Sequence, residues 1–128
     1  MKKSAGKNIK ILVVDDEESI RKLMTYILRE RGFIVRDAGN GEEALDRVAE
    51  DKPDIILLDL AMPRMNGLQA YERLREDPST RNIPVIFLSA RFPLIPDFKN
   101  TGLTPVDYIE KPCDIEYLVQ RIEALTSR

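Results

Sequence analysis

Five polar residues stand where short aliphatic runs stop. Asp15 and Asp16 follow "IKILVV", Asp59 follows "IILL", Ser89 follows "VIFL" and Lys111 follows "DYIE". Taken singly, each has an ordinary explanation, because aspartate and serine favour turns and helix caps. Taken together they form a set with a chemistry. Carboxylates gathered at one place repel one another unless a cation sits among them. Hard oxygen donors with no softer ligand nearby suit Mg²⁺, which prefers near-octahedral oxygen coordination and keeps several of its waters. Asp59 can then be more than a ligand. A carboxylate oxygen is a competent nucleophile toward phosphorus when the electrophile is held in line and its charge is neutralised. Mg²⁺ on one side and the Lys111 ammonium on the other would neutralise it, and the Ser89 hydroxyl could donate to a phosphoryl oxygen.

Such a set works only if the chain brings its members together. Ile9 to Val14 is a short apolar run of the kind found in a parallel strand covered on both faces. Ile20, Leu23, Met24, Ile27 and Leu28 then recur at the spacing of one helix face, with Glu17 and Glu18 at the favourable end of the dipole and Gly32 as the stop. "FIVRDA" reads as a second strand. Ala44, Leu45, Val48 and Ala49 mark a second helix that begins near Asn40 and ends before Pro53. "DIILLD" is the third strand, and Leu68, Tyr71 and Leu74 mark a helix from Gly67 that Pro78 closes. "PVIFLSA" and "VDYIEKP" read as strands four and five. Asp114 caps a last helix with Ile115, Leu118, Val119, Ile122 and Leu125 on its inner face. The expected fold is α/β, a five-stranded parallel sheet with helices on both faces. In such sheets ligands gather outside the carboxyl ends of the strands, where the strand order reverses. The five polar residues are all expected at that edge.

Composition removes competing chemistries. With 128 residues, 43% of them hydrophobic and 33% charged, the chain fits one globular domain with one core. The expected division is a flexible basic tail over 1–8 and a single domain over 9–126. No apolar run approaches the ~20 residues of a membrane span, and "MKKSAGKNIK" lacks the apolar stretch of a signal peptide, so the expected location is the cytoplasm, without membrane association. The single cysteine, Cys113, excludes an internal disulfide and a thiolate-cluster metal site. The absence of histidine excludes Ser-His-Asp and Cys-His nucleophile systems, imidazole-bound zinc and a phosphohistidine carried by this chain. A formal net charge of -2 offers no basic footprint for nucleic acid.

The blocks "ILVVDDEESIRKLM", "PDIILLDLAMPRMNG", "VIFLSA" and "DYIEKP" resemble, in order and spacing, the signature blocks of the response-regulator receiver domain of two-component signalling. The resemblance spans nearly the whole chain. It implies a flavodoxin-like doubly wound fold, and phosphoryl transfer from a histidine kinase or a histidine phosphotransfer protein to one aspartate. Carried over by position, Asp59 resembles the phosphoacceptor, Asp15 and Asp16 the acidic pair for Mg²⁺, and Ala61 the residue whose backbone carbonyl also binds the metal. Ser89 resembles the switch hydroxyl, Tyr108 the switch aromatic and Lys111 the lysine that pairs with the phosphoryl group. On strand alternation alone Tyr108 reads equally well as a half-exposed aromatic. No cofactor beyond Mg²⁺ is implied, nor any enzymatic turnover except the domain's own phosphorylation and dephosphorylation. The missing histidine fits a chain that receives from a separate donor, and the downstream target is not legible.

Two rival readings remain. A pseudo-receiver would bind a partner without phosphoryl chemistry. An aspartate-based phosphatase would place its nucleophile in a DxDx[TV] pattern after the first strand, whereas "DDEES" stands there and the nucleophile candidate is on the third. The chain also departs from the family between Ala90 and Tyr108, where receivers carry an amphipathic fourth helix. Pro93, Pro96 and Pro105 oppose a long helix there, since proline in a helix interior costs about 3 kcal/mol and disfavours helix at the preceding residue. The expectation is an irregular or shortened fourth helix, with at most a turn around Asp97 to Asn100. A further expectation is that the protein does not form the symmetric dimer that receivers build through this face.

Overall fold

A computed structural model describes residues 8–59, 67–89, 107–110 and 114–126. The proline-rich segment, the basic tail, Ala61 and Lys111, with the expectations that fall on them, lie outside the described residues. In chain order the elements are β1 (Lys10–Val14), α1 (Glu18–Glu30), β2 (Ile34–Ala38), α2 (Gly41–Glu50), β3 (Ile55–Asp59), α3 (Gly67–Glu76), β4 (Val85–Ser89), β5 (Asp107–Glu110) and a C-terminal helix (Ile115–Thr126).

The strands form one sheet in the order β2-β1-β3-β4-β5, and every neighbouring pair is parallel. Burial on both faces explains why the strands are so apolar. Leu12, Val14, Ile56, Leu58, Val85 and Phe87 face a layer with Ala44 and Val48 of α2 and Ala70, Tyr71 and Leu74 of α3. Their sequence neighbours Ile11, Val13, Ile55, Leu57, Ile86 and Leu88 face a second layer with Leu28 of α1 and Leu118, Val119 and Ile122 of the C-terminal helix. β3 is buried along its whole length. Each fully covered aliphatic side chain there contributes roughly 1.5–3 kcal/mol relative to exposure.

The helix ends follow local chemistry. α1 stops in a Schellman arrangement, in which the N–H of Phe33 donates to the carbonyl of Leu28 at 3.2 Å and that of Gly32 to Arg29 at 3.0 Å. Gly32 takes φ 95°, a left-handed conformation that glycine adopts without a Cβ penalty. α2 starts at Asn40, whose Oδ1 accepts from the Glu43 N–H at 2.8 Å while Glu43 Oε1 accepts from the Gly39 N–H at 2.7 Å. This reciprocal pair is a close variant of the capping box. Asn40→Ala should therefore lower stability by about 1 kcal/mol in urea unfolding. A change near zero would show that another donor or water replaces the cap.

One expectation for α1 is corrected. Leu23, placed on the inner face by its spacing, is 56% exposed, and Thr25 is buried instead at 7%. The inward stripe runs through Arg21, Thr25 and Leu28, at i, i+4 and i+7, and Leu23 lies off it. Among the described residues no helix is long and apolar enough to cross a membrane.

Candidate metal and phosphoacceptor site

The chain leaves β1 to form β2 on one side and later returns to place β3 on the other. The strand order therefore reverses between the carboxyl ends of β1 and β3, which leaves a crevice there. Asp15 and Asp16 follow the last residue of β1, and Asp59 is the last residue of β3.

Their carboxylate oxygens lie within 4.8 Å of one another. Asp15 and Asp59 are 3% and 5% exposed, whereas Asp16 faces solvent. Asp59 reaches this position because β3 is tied on both sides, with Leu58 registered to Val14 of β1 and Asp59 to Leu88 of β4. Asp15 is fixed at three points. Its N–H donates to the Ala38 carbonyl at 3.1 Å, its Oδ1 accepts from the Glu17 N–H at 2.9 Å, and its carbonyl accepts from Arg21 Nη1 at 2.8 Å.

Three acidic oxygens held this closely, two of the side chains out of water, repel one another strongly in the absence of a cation. Asp15, Asp16 and Asp59 could hold a divalent ion, and an all-oxygen, partly open donor set suits Mg²⁺ better than a softer metal. The structure thus brings together the three carboxylates singled out in the sequence. Ser89 ends β4 in register with Glu110, and Tyr108 pairs with Phe87; their side chains lie outside what is described.

The sequence reading missed Arg21 and Asp37. Arg21 Nε donates to Asp37 Oδ2 at 2.9 Å while its Nη1 holds the Asp15 carbonyl. Asp37 sits on β2, and its own carbonyl accepts from Arg47 Nε at 3.2 Å. The signal available beforehand was the spacing of Arg21 from Thr25 and Leu28.

A parallel sheet in the order β2-β1-β3-β4-β5 with helices on both faces defines a flavodoxin-like class of protein, here with an acidic cluster at the switch point. Comparison with known proteins narrows the class. The profile of the response regulator receiver domain matches residues 11–123. Response regulator MprA of Mycolicibacterium vanbaalenii is 36% identical over 120 residues, covering 94% of this chain and 51% of that protein. The chain thus spans about half the length of the curated relatives it matches. Among solved structures, the signal receiver domain of a signal transduction histidine kinase from Syntrophus aciditrophicus aligns with TM-score 0.83 and 30% identity, covering 92% of this chain and 89% of that one. Response regulator protein TrrA from Thermotoga maritima, in complex with Mg²⁺-BeF, aligns with TM-score 0.80 and 31% identity, covering 91% and 98%. The chain belongs to the response regulator receiver domain family of two-component systems.

Proposed function

We propose that this domain accepts a phosphoryl group on Asp59 from a phosphohistidine of a histidine kinase or histidine phosphotransfer protein. The observation that carries the reading is the convergence of Asp59, at the end of a fully buried strand, with Asp15 and Asp16 at the switch point. An Asp59 carboxylate oxygen attacks phosphorus, the P–N bond to the donor imidazole breaks, and the imidazole leaves with the bonding pair. Asp15, Asp16, Asp59 and the Ala61 carbonyl would hold Mg²⁺, which supplies charge neutralisation for the phosphoryl oxygens. The complex of TrrA with Mg²⁺-BeF supports the metal part of this reading. The rigid sheet keeps the Asp59 carboxylate aimed, so little ordering is left for the moment of transfer.

In this reading the domain catalyses only its own phosphorylation and dephosphorylation, and a phosphatase turning over generic monoesters is not expected. The test is intact mass after incubation with acetyl phosphate, with and without Mg²⁺. Uptake of one phosphoryl group only with the metal is expected. An unmodified protein under conditions that label other receivers would favour the pseudo-receiver reading.

Lys111 and Ser89 carry the response in this proposal. Lys111→Ala should leave the domain folded and cut the phosphorylation-dependent chemical-shift changes around Tyr108 to a small fraction. Ser89→Ala should act in the same direction through a lost hydrogen bond. Shift changes that persist unaltered in both variants would refute the coupling.

A further inference from the structure

We propose that Arg21 is a positioning residue for the cation pocket, aiming the Asp16 carboxylate by pinning the peptide that joins Asp15 to Asp16. The inference rests on the Mg²⁺ reading given above. Arg21 stands in the first turn of α1 on the stripe that also carries buried Thr25 and Leu28, and its side chain is only 17% exposed. Its guanidinium is divided between two acceptors, the Asp15 carbonyl at 2.8 Å and the Asp37 carboxylate at 2.9 Å. Asp37 belongs to β2, so the arginine is anchored to the sheet and does not hang from α1 alone. Gly39 leaves the room this needs, because a Cβ there would stand 3.2 Å from Arg21 Nη1.

The consequence for Asp16 follows from peptide planarity. The Asp15 carbonyl and the Asp16 nitrogen belong to one rigid unit. When its oxygen is held by Arg21, the preceding N–H by Ala38, and the following peptide by the Glu17 N–H donating to Asp15 Oδ1, Asp16 sits between two fixed peptide planes and its Cα–Cβ direction is set. Asp16 is exposed, so burial contributes little to holding it. Residues that orient metal ligands in this way typically change metal affinity by 10–100-fold when removed.

A purely electrostatic role predicts the opposite sign. Arg21 is a fixed positive charge beside a cation pocket, so deleting it would tighten Mg²⁺ binding by charge alone. Positioning predicts weaker binding. The experiment is a Mg²⁺ titration by calorimetry of the whole chain as parent, Arg21→Met and Arg21→Lys, with amide hydrogen exchange at Asp16 and Glu17. Met keeps the aliphatic stem without donors. Lys keeps the charge, but a single ammonium cannot reproduce the planar fork across two acceptors. Both variants are expected to bind Mg²⁺ about tenfold more weakly, with faster exchange at Asp16 and no loss of overall fold. If Arg21→Met does not fold, Arg21→Lys decides. Unchanged or tighter Mg²⁺ binding in a folded variant, with the parent binding normally, overturns the inference alone. A parent that binds no Mg²⁺ overturns the metal reading and the inference with it.

Discussion

Asp59→Asn is expected to abolish Mg²⁺-dependent phosphoryl uptake completely while leaving the domain as stable as the parent or more so. The amide matches the carboxylate in size and keeps an oxygen at the end of β3, so the 5% exposed position should stay packed. A neutral amide oxygen is a far poorer nucleophile than a carboxylate, and Asn cannot form the acyl phosphate. The substitution also removes one of three negative charges lying within 4.8 Å of one another, and relief of that repulsion is expected to offset the loss of the interactions the carboxylate makes in metal-free buffer. Intact mass after acetyl phosphate treatment and thermal unfolding without Mg²⁺ read the two halves. A labelled Asn variant would place the acceptor elsewhere, and a strongly destabilised one would give Asp59 a structural role that the repulsion argument denies.

Phe87→Ala should lower stability by about 3–5 kcal/mol, the range for deleting a fully buried phenyl ring. Phe87 is 0% exposed and registers with Leu58 of β3. Its ring meets that of Tyr71 edge-on, with centroids 5.0 Å apart and planes at 68°. Tyr71 is in turn covered by the Arg75 guanidinium at 4.4 Å. Tyr71 cannot move into the vacated space without giving up that cation contact, so the cavity should stay largely open. Against a total of roughly 5–15 kcal/mol for a domain of this kind, the loss is large. Urea unfolding should show a lower midpoint with an unchanged slope. A loss below about 1 kcal/mol would mean that β4 and α3 close together over the gap.

The strands were legible because coverage on both faces demands near-continuous aliphatic runs, and "IILL" ending in Asp59 carried both the sheet position and the acceptor candidate. Asp15 and Asp16 were legible for the same reason, as carboxylates placed where an apolar run ends. The Gly32 stop and the Asn40 start depended on single residues with specific backbone or capping chemistry. Leu23 shows where this kind of reading fails. Its spacing from Ile27 admits it to an apolar arc, but whether the arc is centred there or on Thr25 is decided by what the helix packs against. The same ambiguity hid Arg21, because a charged residue at the end of an inward stripe looks like a solvated one until its acceptors, Asp37 and the Asp15 carbonyl, are brought to it by the fold of β2.

Along β3, neighbours in sequence are strangers in space. Ile55 and Leu57 belong with α1 and the C-terminal helix, and Ile56 and Leu58 with α2 and α3. A change of volume therefore spreads sideways through a layer and hardly at all along the strand. Leu57 and Leu58, although adjacent, meet different neighbours and couple only through the backbone they share, whereas Leu58 and Phe87, nearly thirty positions apart in the chain, share one layer and should be altered together. For anyone redesigning this domain, the unit of repacking is the half-core. The two halves can be rebuilt one at a time, provided the backbone they share still delivers Asp59 to the same place.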